Sequence, residues 1–205
     1  MILSEVRWRK TALIKILSKI ITQIFNYAPW VTMILVVGAF KTHLTTVQFR
    51  QVLPVVLFLD LIVPSLIYLF LIKTGKITDG SLVRREDRIL LFGLSSIFAL
   101  LATLFSFLFA NDLFFKLHLL FFIVGFTTFL ITLFYKISGH MIINTSFIFI
   151  LNFLFGWNLL FAFLIVPLVA FARLYLKAHT LIEILTGVFV GFIEPFLILK
   201  IFGLL

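Results

Sequence analysis

Residues 113–136 run Leu113-Phe114-Phe115-Lys116-Leu117-His118-Leu119-Leu120-Phe121-Phe122-Ile123-Val124-Gly125-Phe126-Thr127-Thr128-Phe129-Leu130-Ile131-Thr132-Leu133-Phe134-Tyr135-Lys136. No charge interrupts the stretch from Leu119 to Phe134. Its length is close to the roughly 20 apolar residues that a membrane-spanning helix needs. Lipid offers no partner to unpaired backbone N–H and C=O groups, so an apolar crossing of this kind is helical.

Similar apolar segments flank it at 28–48, 52–73, 89–110, 141–156, 158–172 and 179–202. Those at 141–156 and 158–172 are short for a crossing. The chain has 205 residues, of which 63% are hydrophobic, and a mean hydropathy of +1.25. A soluble domain of this length cannot hide that much apolar surface. The expected fold is all-α: a polytopic membrane helix bundle of about six to seven transmembrane helices, forming one domain over 27–205. Residues 1–26 read as an amphipathic helix at the membrane interface. Leu13, Leu17, Ile20, Ile21 and Ile24 recur at helical spacing, with Lys15 and Lys19 on another face and Arg7, Arg9 and Lys10 before them.

The chain has no cysteine, so a disulfide framework and a thiolate metal site are both excluded. Its net charge of +9 points to anionic headgroups or a phosphate ligand. No nucleic-acid module is visible, because the 28 phenylalanines lie in the apolar runs.

Three polar sets stand out against this background. The loop at 73–88 carries Lys73, Lys76, Arg84, Arg85 and Arg88. Lys136-Ile137-Ser138-Gly139-His140 forms the second set, and Arg173 with His179 and Glu183 the third. Two crossings separate the first set from the second, and two more separate the second from the third. All three therefore share one membrane side. Arg7, Arg9, Lys10, Lys15, Lys19, Lys73, Lys76, Arg84, Arg85, Arg88, Lys136, Arg173 and Lys177 fall on that side, against Lys41, Arg50, Lys116 and Lys200 on the other. The positive-inside rule makes the motif side cytoplasmic, with the plasma (inner) membrane as the expected location.

Each set has a chemistry. A helix starting at Ser138 would place that residue at the N-cap, let a ligand approach the Gly139 backbone, and offer free N–H groups to an anion. His179 and Glu183 stand at i and i+4, so the carboxylate can hold the imidazole in one tautomer and leave its other nitrogen free as base or nucleophile. A break in the chain between Arg173 and His179 would turn both towards one site. Loop cations can clamp phosphate oxygens, Arg bidentately and Lys as a point charge. His140, His179 and Glu183 could in principle hold a metal, but the cations converging on them favour a phosphate over a divalent ion. Asp60 and Glu194, deep in their segments, read as structural, paired with Arg50, Lys200 or helix polar groups.

Taken together, these residues resemble the type 2 phosphatidic acid phosphatase superfamily, the lipid phosphate phosphatases related to vanadium haloperoxidases. That family carries a Lys and an Arg in a loop, then Ser-Gly-His, then Arg, five residues, His, three residues and an acid. Here the third motif is Arg173, His179 and Glu183, and the second is Ser138-Gly139-His140. The first is Lys76 with Arg85, or alternatively Arg84. The resemblance covers about 70–195. In the family, six residues usually separate the Lys and Arg of the first motif, and Pro follows. Eight separate Lys76 from Arg85, and Glu86 follows. Ile137 replaces a Pro, Ala172 a Ser, and Glu183 the usual Asp.

The resemblance implies a metal-independent lipid phosphatase with no cofactor. His179 would be the nucleophile that forms a phosphohistidine, Glu183 its orienting acid, and His140 the proton donor and later the base. Lys76, Arg85, Ser138, Gly139 and Arg173 would bind phosphate, with Arg84 and Lys136 as additional contacts. The implied substrates are phosphatidic acid, phosphatidylglycerol phosphate or polyprenyl diphosphate. The alternatives are a lipid phosphotransferase of the same fold and a non-catalytic lipid- or anion-binding membrane protein.

Overall fold

The computed structural model describes residues 2–77, 82 and 84–205, and their side chains from Ala12 onward. Residues 78–81 and 83 of the basic loop, and the side chains of Arg7, Arg9 and Lys10, lie outside the described set. The described chain is helical with no strand. Its elements are α1 (Ile2–Ile24), α2 (Tyr27–Lys41), α3 (Thr46–Leu57), α4 (Val63–Lys73), α5 (Arg85–Phe109), α6 (Asp112–Phe134), α7 (Gly139–Leu154), α8 (Ile165–Tyr175) and α9 (Leu181–Ile201). A π-helical turn over Phe58–Ile62 joins α3 to α4, and a 3-10 turn over Leu160–Leu164 precedes α8.

Five stretches are long and apolar enough to cross a membrane: Ala12–Lys41, Thr46–Lys73, Arg85–Phe109, Asp112–Phe134 and Leu181–Ile201. Gly139–Leu154 and Leu160–Tyr175 are apolar but shorter. The apolar segments read from the sequence thus reappear as helices, and their composition is that of an integral membrane protein. One boundary differs. The first long stretch takes in the second half of α1 together with α2, whereas the sequence reading set 1–26 apart as a surface helix. Along α1, Leu13, Ile16, Leu17, Ile20 and Ile24 are exposed, while Ser18 and Thr22 are buried. The apolar stripe faces outward, as a lipid-facing stripe would, and the small polar residues face the bundle.

Local sequence explains the helix ends. Asn111 accepts from Phe114 N at 2.9 Å, capping α6, and its amide donates to Thr42 O at 2.7 Å. The α5–α6 turn is thereby tied to the α2–α3 turn. Thr45 with Gln48, and Thr180 with Glu183, form capping boxes at the starts of α3 and α9. Helices α5 and α6 pack along each other, as do α7 and α9. Two glycines set the α7–α9 distance. A Cβ on Gly191 would meet Ile142 O at 2.6 Å, and one on Gly187 would meet Ser138 O at 2.9 Å. Helix α2 runs the same way as α7. Asn144 of α7 donates to Phe25 O at 2.9 Å and accepts from Trp30 Nε1 at 2.9 Å, while Lys41 lies over the Phe155 ring beyond the far end of α7.

The core contains one ionisable pair. Asp60 does not reach Arg50 or Lys200; its Oδ2 lies 2.8 Å from His118 Nε2, and His118 Nδ1 meets Ser106 Oγ at 2.5 Å. All three side chains are buried. Pro64 has no N–H to give the Asp60 carbonyl, and the Tyr27 hydroxyl donates to it instead at 3.0 Å. Glu194 bonds the Thr127 side chain, a helix polar group.

Candidate active site

The site forms where four segments meet: the start of α5, the start of α7, the end of α8 and the turn before α9. Helix α8 stops at Tyr175, Lys177 takes a left-handed conformation (φ 52°), and Ala178 N returns to Arg173 O at 3.1 Å. That reversal is the break that an Arg and a His six positions apart need in order to converge. Arg173 and His179 both line one cavity of about 440 Å³, together with Arg88, Gly139 and His140.

His179 is held from one side. Its Nδ1 lies 2.6 Å from Glu183 Oε2, and the same oxygen accepts from Thr180 N at 3.3 Å within the α9 cap. The Glu183 carboxylate of the capping box is therefore also the group that orients the imidazole. On the other side Arg88 Nη2 lies 3.4 Å from His179 Nε2. A guanidinium can only donate, so Nε2 carries the lone pair and Nδ1 the proton. Burial, then the charges of Arg88, Arg173 and Lys136, push the His179 pKa down from its ordinary value to about 3. That shift favours the neutral imidazole, whose bare nitrogen stands beside the Arg88 guanidinium.

Gly139 opens α7 and Ser138 takes the N-cap position, as expected, but the Ser138 hydroxyl makes no cap bond. Its backbone N–H donates instead to Glu183 O at 3.2 Å, locking the second motif to the third. Ser138 Oγ and His140 Nε2 are both buried without a hydrogen-bond partner among the described residues. The Thr22 carbonyl of α1 accepts from the His140 ring. Since Nε2 has no partner, the donor is Nδ1, and Nε2 is left bare. A buried polar atom without a partner costs on the order of 1–3 kcal/mol. His140 lines the basic cavity and its bare Nε2 marks the place of a ligand that brings a proton, whereas Ser138 is fully buried against α9 and lies outside the lining, a correction to its expected place in the site.

The loop cations divide in a way the sequence did not foresee. Arg88 is buried, with Nε donating to Leu82 O at 2.6 Å and Nη1 to Ile137 O at 2.8 Å, and it enters the site. Arg85 donates to Leu133 O at 2.8 Å and lies 3.8 Å from Glu86, outside the cavity lining. Arg84 is exposed beside Glu86 at 4.0 Å, and Lys76 is exposed and does not line the cavity. Lys136 turns to the back of the site, donating to Ala178 O at 3.1 Å and standing 3.9 Å from Glu183. It faces the carboxylate rather than the cavity. The apolar run at 89–110 leaves Arg88 with the loop by composition. A helix begun at Arg85 puts Arg88, Phe92, Ser95, Ser96 and Ala99 on one face, all of which line the cavity. Thr22 gave no signal, because its contribution is a carbonyl. No three His, Cys, Asp or Glu side chains gather as a metal site among the described residues.

Below the polar mouth the cavity is mostly apolar. It runs between α5 and α6 down to Phe121, Phe122 and Tyr27, with α4 and α1 forming its other walls. The arrangement joins an anion-binding mouth to a hydrocarbon-lined interior. Comparison of the chain with family models, with curated proteins and with solved structures gave no match.

Proposed function

We propose that the protein is an integral membrane lipid phosphate phosphatase that works through a phosphohistidine on His179. One observation carries the reading: the His179 imidazole is fixed through Nδ1 by Glu183 at 2.6 Å, with a bare Nε2 beside the Arg88 guanidinium at 3.4 Å in a cavity that Arg173 also lines and that has an apolar interior. The resemblance in motif order supports it.

In the first step the Nε2 lone pair of His179 attacks phosphorus, and the bond from phosphorus to the lipid oxygen breaks. A substrate monoanion brings one proton. His140 Nε2 takes that proton and hands it to the departing oxygen, so the lipid leaves as an alcohol, or as a monophosphate if a diphosphate is cut. Arg88, Arg173 and the Gly139 N–H stabilise the equatorial oxygens, where charge complementarity supplies most of the rate. In the second step His140 Nε2 removes a proton from water as the oxygen attacks phosphorus. The nitrogen–phosphorus bond breaks, and His179 recovers its lone pair. Lys136 steadies the Glu183 carboxylate. The excess of Lys and Arg on the motif side argues for a cytoplasmic site.

The test is phosphate release from phosphatidic acid, phosphatidylglycerol phosphate and polyprenyl diphosphate in detergent with excess chelator, for wild type and His179→Ala. Release that vanishes in the variant, with the fold intact, is the expected result. Equal release from both proteins would refute the nucleophile, and release abolished by chelator and restored by a divalent ion would refute the metal-free chemistry.

A further inference from the structure

We propose that Phe121 and Gly125 form a depth gauge that sets the length of the substrate's hydrocarbon chain. The inference rests on the reading of the mouth as a phosphate site, but its test separates the two.

The bond from Arg85 to Leu133 O puts the start of α5 level with the end of α6. Counting back along α6 at about 1.5 Å per residue, Gly125 lies about 12 Å and Phe121 about 18 Å below that level. Arg88, at the mouth, stands about 4.5 Å below that level, which leaves about 13 Å from the mouth to Phe121, close to the roughly 15 Å depth of one leaflet of a hydrocarbon core.

Phe121 closes the bottom. Its ring packs against Tyr27, Phe147 and His118 at centroid distances of 6.5, 5.7 and 5.9 Å. The Tyr27 hydroxyl is pinned to the Asp60 carbonyl, and the Asp60–His118 pair stands directly behind the floor. Beyond Phe121 lies a second void of about 10 Å³, which Phe121 also lines. A smaller side chain at this position would join the two spaces.

Gly125 marks the wall above the floor. A Cβ placed there meets nothing within 4 Å, although the residue lines the cavity. A glycine inside a helix is destabilising relative to alanine. Gly125 is exposed at the cavity's edge, and no close packing against a neighbouring helix accounts for it, unlike Gly187 and Gly191; it keeps the space beside the cavity wall open. A side chain at 125 would shorten the space without a clash.

The experiment measures binding of n-alkyl phosphates of increasing length, and of the matching n-alkyl alcohols, to the full chain in nanodiscs by calorimetry. Affinity of the wild type rises about fourfold per methylene, the equivalent of ~0.8 kcal/mol, up to a limiting length and levels off beyond it. Gly125→Leu moves the limit to shorter chains and Phe121→Ala to longer ones. Phe121→Leu gives a smaller shift in the same direction as Phe121→Ala and keeps the test intact should the alanine variant fail to fold. The proposal is overturned if the wild type shows no limit, if neither ligand series binds, or if the limit does not move in folded Gly125→Leu. A limit that moves as expected with no preference for phosphates over alcohols would leave the gauge standing and sink the phosphate reading. A phosphate preference with an unmoved limit would overturn the gauge alone.

Discussion

Arg85 and Arg88 stand three residues apart on one helix, and the structure gives them opposite fates. Replacing Arg88 with Ala removes the guanidinium beside His179 Nε2 and strips Leu82 O and Ile137 O of their donor. Hydrogen bonds from a charged donor contribute about 1.5–3 kcal/mol each, so the variant loses on the order of 3 kcal/mol of stability or more. Loss of one pre-aimed donor for transition-state charge costs about 10²–10³ in kcat. Arg85 contributes one bond to a carbonyl from a partly exposed position outside the cavity. Its replacement by Ala costs about 1 kcal/mol and leaves turnover within about threefold, since no donor to the transition state is lost. Arg88→Lys keeps the charge but loses the planar fork, so a folded protein with turnover at least about tenfold lower is expected. The assay is phosphate release under saturating lipid phosphate, with thermal unfolding of each variant run alongside. Arg85→Ala falling as far as Arg88→Ala, with both folded, would refute the assignment of Arg88 to the site.

Three further predictions concern protonation and packing. His179 has a folded pKa of about 3 against an ordinary value near 6.5, so the unfolded chain takes up its proton first. This group's contribution to stability is complete above about pH 6.5 and is lost as pH falls towards 3. Thermal midpoints should decline over that window, and less steeply in His179→Asn; equal slopes would remove His179 as the cause. Lys136→Met takes away one of the charges that hold the pKa down, so the reaction of His179 with an imidazole-modifying reagent should weaken at a higher pH than in the wild type. For packing, Gly191→Ala drives a methyl to 2.6 Å from Ile142 O and so forces α7 from α9. Overpacking of this kind costs about 1–3 kcal/mol. Because α7 carries His140 and α9 follows His179, kcat should fall with the melting temperature; unchanged values of both would show that the helices yield without consequence.

Much of this molecule was determined by sequence alone, because the determinants are local. A run such as Leu119–Phe134 can only be a helix in an apolar medium, and the i, i+4 spacing fixes the pairing of His179 with Glu183. The capacity of Ser138-Gly139-His140 to open a helix is local in the same sense. What the tertiary structure decided is every question of direction. Arg85 and Arg88 differ by about 60° around one axis, at 100° per residue, and only the positions of α7 and α9 turn Arg88 inward. Lys136 faced Glu183 rather than the cavity because the end of α6 passes behind the turn at 176–180. Asp60 found His118, 58 positions away, a choice among cations and helix polar groups that the sequence left open. The carbonyl of Thr22 leaves no mark in the identity of a residue, and a glycine at 125 does not say that a cavity lies beside it. Both roles exist only because several helices leave a group exposed or a gap unfilled.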